Sequence, residues 1–334
     1  MQRKFRHLWQ AALAVALTVA PMATGCSDDE DSILPPTDDD AVTDTTAIPE
    51  QPAEAVLDST ELWCMNGNQR IYGLLYTKAR PGERVPAVIL SHSYSLSHAA
   101  MRGYARSLAE KGMATYCFDF CGGGSESQSD GSTDSMTVFT EVNDLKAVLA
   151  TVRQLDVVHP DSVYLLGSSL GGMVSALVAE DEPEQVAGLI LFYPAFNMAD
   201  LVRQFGDLMN GWGGGMGGSW GGSWGDMGGS WGDMGGMFSM SQVFIDALKD
   251  YDVWQHIGTF PRPVTILHGS KDWLVPVSNS KKAVGLYPDA TLHVIEGANH
   301  GFNAANLGSM GSMMGGAADY DSIVMPIVYD FLGR

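Results

Sequence analysis

Three side chains far apart in the sequence have the types and settings that nucleophilic catalysis needs: Ser169, Asp272 and His300. A serine hydroxyl is a weak nucleophile until a base within hydrogen-bond reach takes its proton, and a carboxylate must orient that base. Ser169 lies in Gly167-Ser168-Ser169-Leu170-Gly171, a G-x-S-x-G pattern that puts a serine on a sharp strand-to-helix corner with its hydroxyl exposed. The bare pattern is weak in so Gly-rich a chain, because it recurs at Gly217–Gly221, Gly221–Gly225 and Gly228–Gly232. Context selects Ser169. The apolar, strand-like Val163–Leu166 precedes it, and Met173, Val174, Leu177 and Val178 follow at helical spacing.

Asp272 comes just after the apolar run Val264–Leu267, within His268-Gly269-Ser270-Lys271-Asp272. His300 comes just after Thr291–Ile295, within Gly297-Ala298-Asn299-His300-Gly301-Phe302. Taken singly, a loop Asp or His reads as a solvated surface residue. Two at strand ends, in the order Ser, Asp, His, point to acyl transfer. The oxyanion of such a reaction needs two preorganised N–H donors. The amide of Leu170 is one candidate; that of Tyr94, in the loop Ser91-His92-Ser93-Tyr94-Ser95 after Val88–Leu90, is the other. His92 reads as a brace for that loop, with a second base as the alternative. This chemistry calls for no cofactor, and the Cys and His spacings match no metal site.

The positioning elements are legible as alternating patterns. Leu62–Met65 and Gln69–Tyr76 flank Asn66-Gly67-Asn68 as a hairpin. Strands are expected at Pro86–Leu90, Ala114–Phe120, Val163–Leu166, Ala187–Phe192, Val264–Leu267 and Thr291–Ile295, with helices over Met101–Lys111, Val138–Leu155 and Tyr320–Leu332 among the intervening segments. Strand–helix alternation predicts an α/β fold whose mostly parallel sheet is covered on both faces, with ligands bound beyond the strand C-terminal ends.

Residues 210–240 break this order. They are dominated by Gly, Met, Trp and Ser, and Gly-Gly-Ser-Trp-Gly-Asp-Met at 221–227 repeats at 228–234. The seven-residue spacing does not fit the nine-residue calcium-binding repeat, so Asp226 and Asp233 read as solvated. Four tryptophans, Trp212, Trp220, Trp224 and Trp231, favour an adaptable apolar cap; filler without a binding role is the alternative. A second Gly/Met patch at 308–315 is expected to meet it above the pocket.

The chain has 334 residues and a formal net charge of −20. Residues 27–61 hold twelve Asp or Glu and no Lys or Arg, so the acidity says little about a substrate. No basic stripe exists to neutralise phosphates, which argues against nucleic acid. Arg3, Lys4 and Arg6 precede an apolar run from about Ala11 to Met22, too short to span a bilayer comfortably and suited to an export signal. Ala23-Thr24-Gly25-Cys26 resembles a bacterial lipobox, which implies that Cys26 becomes a lipidated first residue; a plain secretory peptide is the alternative. The acidic run directly after it resembles the surface-export signal of some Gram-negative lipoproteins. Cys64, Cys117 and Cys121 remain. Cys117 and Cys121, four apart on one expected strand, are about 13 Å apart and too far to bridge. Either could pair with Cys64, or all three could stay buried thiols.

The span from about Leu62 to Leu332 resembles the α/β-hydrolases, and among them the small bacterial esterases related to cinnamoyl and feruloyl esterases. The likeness rests on Cys117–Ser125, Gly167–Gly172, His268–Asp272 with Val275-Pro276, and Ser280–Phe302. It implies Ser169, Asp272 and His300 as triad and Tyr94 and Leu170 as oxyanion donors. Three positions depart from the pattern: Ser93 replaces the usual Gly after His92, Ser168 replaces a His, and Cys121 replaces an Arg. The expected organisation is a lipoprotein signal peptide over 1–25, an acidic disordered tether over 26–60, and a hydrolase domain over 61–334 with a cap insertion at about 199–242. The expected activity is cleavage of a small-molecule carboxylic ester through an acyl-enzyme, held by its lipid at the outer membrane of a bacterial envelope. A serine peptidase of the same fold and a non-catalytic surface binding protein are the alternatives.

Overall fold

The computed structural model describes residues 57–211, 240–302 and 320–333, of which 205–211 are described by backbone alone. The signal segment, Cys26, the tether to residue 56, residues 212–239 of the insertion and the 308–315 patch lie outside the described residues.

Among the described residues, one eight-stranded sheet runs through the domain. Strands β1 (Asp58–Asn66) and β2 (Gln69–Thr77) form the expected hairpin, with Asn66 paired to Gln69 across a two-residue turn. Gly67 takes φ +58°, the left-handed conformation that such a turn demands. β2 pairs antiparallel with β4 (Ala114–Phe118), and from there every pairing is parallel: β4 with β3 (Val85–Ser91), β3 with β5 (Val158–Ser168), then β6 (Gly188–Phe192), β7 (Val264–Gly269) and β8 (Ala290–Ile295). β4, β6 and β7 are buried at every residue, which is why they read as mostly apolar runs, with only Thr115, Thr265 and His268 polar, rather than as alternation.

Successive side chains of a strand face opposite ways, and the core divides accordingly. Ala87, Ile89, Leu165 and Leu191 pack with α2 (Val138–Val152), α3 (Leu170–Asp181), α5 (Gln242–Leu248) and α6 (Val277–Val284). Val88, Leu90, Leu166 and Ile190 pack with α1 (Arg102–Glu110) and α7 (Asp321–Phe331). Helix α4 (Met198–Gly211) leads into the insertion. α3 is buried from Leu170 through Ala179, and Ser175 is the one polar side chain in that stretch. α2 begins in a reciprocal cap: Thr137 Oγ1 accepts from Thr140 N and Thr140 Oγ1 accepts from Thr137 N.

One expectation about the cysteines changes, and one of two open alternatives is met. β4 stops at Phe118, so Cys121 lies in the following loop rather than on the strand. Cys64, Cys117 and Cys121 are free buried thiols. Cys64 Sγ donates to Tyr116 Oη, Cys117 Sγ to Leu74 O and Cys121 Sγ to Arg70 O. Burial pushes the Cys117 and Cys121 thiols up to about 12, which makes them poor nucleophiles near neutrality.

Candidate active site

The strand order reverses at β3, whose neighbours are β4 and β5, and the crevice at such a switch is where ligands bind in open α/β sheets. Ser91 pairs with Gly167 at the ends of β3 and β5. The loop carrying Tyr94 and the corner carrying Ser169 therefore start side by side. Ser169 sits on that corner at φ +52° and ψ −115°, a strained conformation for any residue with a Cβ. Its N–H donates to Phe192 O, and its carbonyl accepts from Gly172 N and Ala195 N. A Cβ at Gly167 would overlap the Gly171 carbonyl, and one at Gly171 would overlap the carbonyls of Ser91 and His92. Both glycines of the motif are thus required by close backbone approach.

Gly269 pairs with Ile295 at the ends of β7 and β8, and the two following loops are zipped together. Ser270 N donates to Ile295 O, Lys271 N to Ala298 O and Gly297 N to Ser270 Oγ. This brings Asp272 and His300 face to face. His300 Nδ1 lies 2.7 Å from Asp272 Oδ2, and His300 Nε2 lies 3.0 Å from Ser169 Oγ. All three residues are buried. An ionised carboxylate only accepts, so Nδ1 carries the ring proton and Nε2 is free to accept from the serine hydroxyl. Burial opposes ionisation of Asp272, but hydrogen bonds from His268, His300 and Val275 N outweigh it and bring its pKa down to about 2.

Leu170 is the first residue of α3, where helix geometry leaves the amide without an intrahelical acceptor. Tyr94 follows Ser93 in the turn closed by Leu96 N donating to Ser93 O, and its ring packs 5.1 Å from Phe244 on α5. His92, fully buried, braces this loop: Nδ1–H donates to Ser93 O at 2.8 Å, and Nε2 accepts from Phe120 N at 3.1 Å. Burial lowers its pKa, which keeps the ring neutral and suits the brace rather than the second base. Two of the departures from the family pattern touch each other, since Ser93 Oγ lies 3.0 Å from Ser168 Oγ.

The sequence assigns no role to two further residues at this rim. Tyr193, directly after β6, holds φ +37° and sets its ring 4.5 Å from the His300 imidazole, edge to face. His268, four residues before Asp272, places Nε2 3.2 Å from the Asp272 Oδ2 that also meets His300. The available signal was a histidine closing an otherwise apolar strand.

This is the α/β-hydrolase fold. A family model described as serine aminopeptidase, S33, matches residues 82–222. The sequence matches none of the curated proteins. Among solved structures, Est1E from Butyrivibrio proteoclasticus is similar at TM-score 0.60 and 19% identity, over 81% of this chain and 97% of that one. A structure of Est1E with ferulic acid bound is similar at TM-score 0.56 and 20% identity, over 80% and 99%. An esterase from Exiguobacterium antarcticum is similar at TM-score 0.55 and 16% identity, over 82% and 99%. The family model covers under half of the chain, and these neighbours share its fold.

Proposed function

We propose that the protein is a serine hydrolase that cleaves carboxylic esters of small molecules. The reading is carried by one observation, His300 Nε2 at 3.0 Å from Ser169 Oγ with Nδ1 held on Asp272. His300 takes the hydroxyl proton as Ser169 Oγ attacks the ester carbonyl. The amides of Tyr94 and Leu170 receive the oxyanion, and the imidazolium gives its proton to the departing alkoxide. Water, deprotonated by His300, then attacks the acyl-serine and releases the acid. Asp272 stays ionised throughout the working pH range and steadies the imidazolium. The insertion at about 199–242 serves in this reading as a cap over the acyl or alcohol group, and lipidation at Cys26 holds the enzyme at the bacterial envelope.

The matched family's description as an aminopeptidase favours a second reading, in which the leaving group is an amine. The same triad serves both, so specificity decides. Turnover of p-nitrophenyl acetate and butyrate by the full chain, abolished in Ser169→Ala, is the expected result; equal slow turnover by both proteins would leave only a binding role. Faster hydrolysis of aminoacyl anilides than of short esters would replace the esterase with the peptidase. Incorporation of labelled fatty acid, lost in Cys26→Ala, tests the anchor.

A further inference from the structure

The acyl-transfer steps leave two fully buried residues beside the acid unused, His268 and Ser280. His268 is the fifth residue of β7, and Ser280 lies in α6. His268 Nε2 stands 2.8 Å from Val275 O and 3.2 Å from Asp272 Oδ2. Both of those oxygens only accept, so Nε2 must carry a proton and share it between them. Nδ1 lies 2.7 Å from Ser280 Oγ, whose hydroxyl donates to it when the ring is neutral.

The other carboxylate oxygen, Asp272 Oδ1, is held by Leu274 N at 3.0 Å and Val275 N at 2.8 Å. Without His268, Oδ2 would meet His300 alone. We propose that His268 is a positioning residue of this site, which fixes Asp272 Oδ2 and draws part of its negative charge away from His300. His268 has this role only if Ser169, Asp272 and His300 carry out the acyl transfer proposed above. Ser280, reaching down from α6, sets the angle of the His268 ring and so belongs to the same chain of contacts. A carboxylate relieved of one donor attracts the imidazolium more strongly, so loss of His268 makes His300 the stronger base and harder to deprotonate. Among the described residues, Tyr193 also faces this cluster with its ring packed on His300, and Asp321 acts on Tyr193.

The test is the pH dependence of kcat/KM for p-nitrophenyl acetate in the full chain, compared across wild type, His268→Leu and His268→Gln. Leucine fills the site without a donor, whereas glutamine offers an amide N–H near the position of Nε2. In His268→Leu the acidic limb should move to higher pH by about half a unit, with kcat lowered about tenfold or more and KM little changed. His268→Gln should return the limb toward its wild-type position. A packing role alone would lower activity without moving the limb, and an unmoved limb in a folded His268→Leu protein overturns the proposal. Should that variant not fold, Ser280→Ala takes its place; a smaller shift in the same direction supports the role, and none overturns it. Failure of the wild-type chain to turn over esters or to label at Ser169 with a fluorophosphonate defeats the acyl-transfer reading itself.

Discussion

His300 Nε2 lies 3.0 Å from Ser169 Oγ across a sequence separation of 131 residues, with the opposite ring nitrogen on Asp272. Groups that act as one unit lose their effect together. Ser169→Ala and His300→Gln should each lower kcat/KM for p-nitrophenyl butyrate by about 10^4-fold or more, and the double variant should fall little further. Initial rates on the three proteins check this, and additive losses would mean the two side chains work separately.

In the proposed reaction Asp272 serves the rate, and its lowered pKa ties it to acid stability as well. Asp272→Asn should cost about 10^4-fold in kcat, because an amide can present N–H to Nδ1 and stabilise the wrong tautomer. The folded carboxyl, at about 2, lies below its ordinary value of 3.8. As pH falls the unfolded chain therefore binds the proton first. Stability from this group is fully present above about pH 4 and is lost as pH falls through about 2, a change of about 2 kcal/mol. Urea unfolding between pH 5 and pH 2 should show wild type losing more stability than Asp272→Asn over that window.

Glu141, on the buried face of α2, is 1% exposed, and neither carboxyl oxygen has a hydrogen-bond partner among the described residues. Burial first, and the Asp144 charge second, raise its pKa well above 4.5. Here the folded state holds the proton longer, so stability falls as pH rises above 4.5 toward the folded value. Glu141→Gln imitates the protonated form and should match wild type below about pH 4. At pH 8 it should be more stable by about 1 kcal/mol or more, since a tenfold difference in proton affinity between folded and unfolded chains is worth about 1.4 kcal/mol. Equal pH slopes for the two proteins in chemical denaturation would contradict this.

Gly171→Ala drives a Cβ into the carbonyls of Ser91 and His92. Backbone cannot yield as a flexible side chain can, so α3 and the Tyr94 loop must move apart. We expect a loss of about 1–3 kcal/mol in thermal or urea unfolding. Displacing the proposed donors should also lower kcat by about 10^2-fold or more. A variant of wild-type activity would remove these two segments from the oxyanion site.

If the Trp- and Met-rich insertion caps the acyl pocket, deletion of 211–237 should change the preference among acyl chain lengths. Labelling of Ser169 by a small fluorophosphonate should survive. An unchanged ester profile would reduce the segment to filler.

Much of the sheet could be read from the chain, because strands buried on both faces must be apolar throughout and Val85–Ser91, Ala114–Phe118, Gly188–Phe192 and Val264–Gly269 are nearly so. The corner at Ser169 was legible because backbone crowding excludes all but glycine at positions 167 and 171. The settings of His268, Tyr193 and Glu141 were not. A histidine at a strand end, a tyrosine after a strand and a glutamate in a helix have no periodicity that marks them; their surroundings come from segments remote in sequence. The thiol state of the three cysteines was open for the same reason, since pairing depends on which side chains cross the sheet.

By itself, then, the order of residues determined which side chains have nucleophilic, basic and acidic character and that each follows an apolar strand. Tertiary structure decided that they meet. The pairings of Ser91 with Gly167 and of Gly269 with Ile295 bring four loops to one rim, and only that register sets Asp272 between two imidazoles. The physical reason is that strand register is chosen by packing of both sheet faces at once, a sum over distant segments that no local stretch of chain contains.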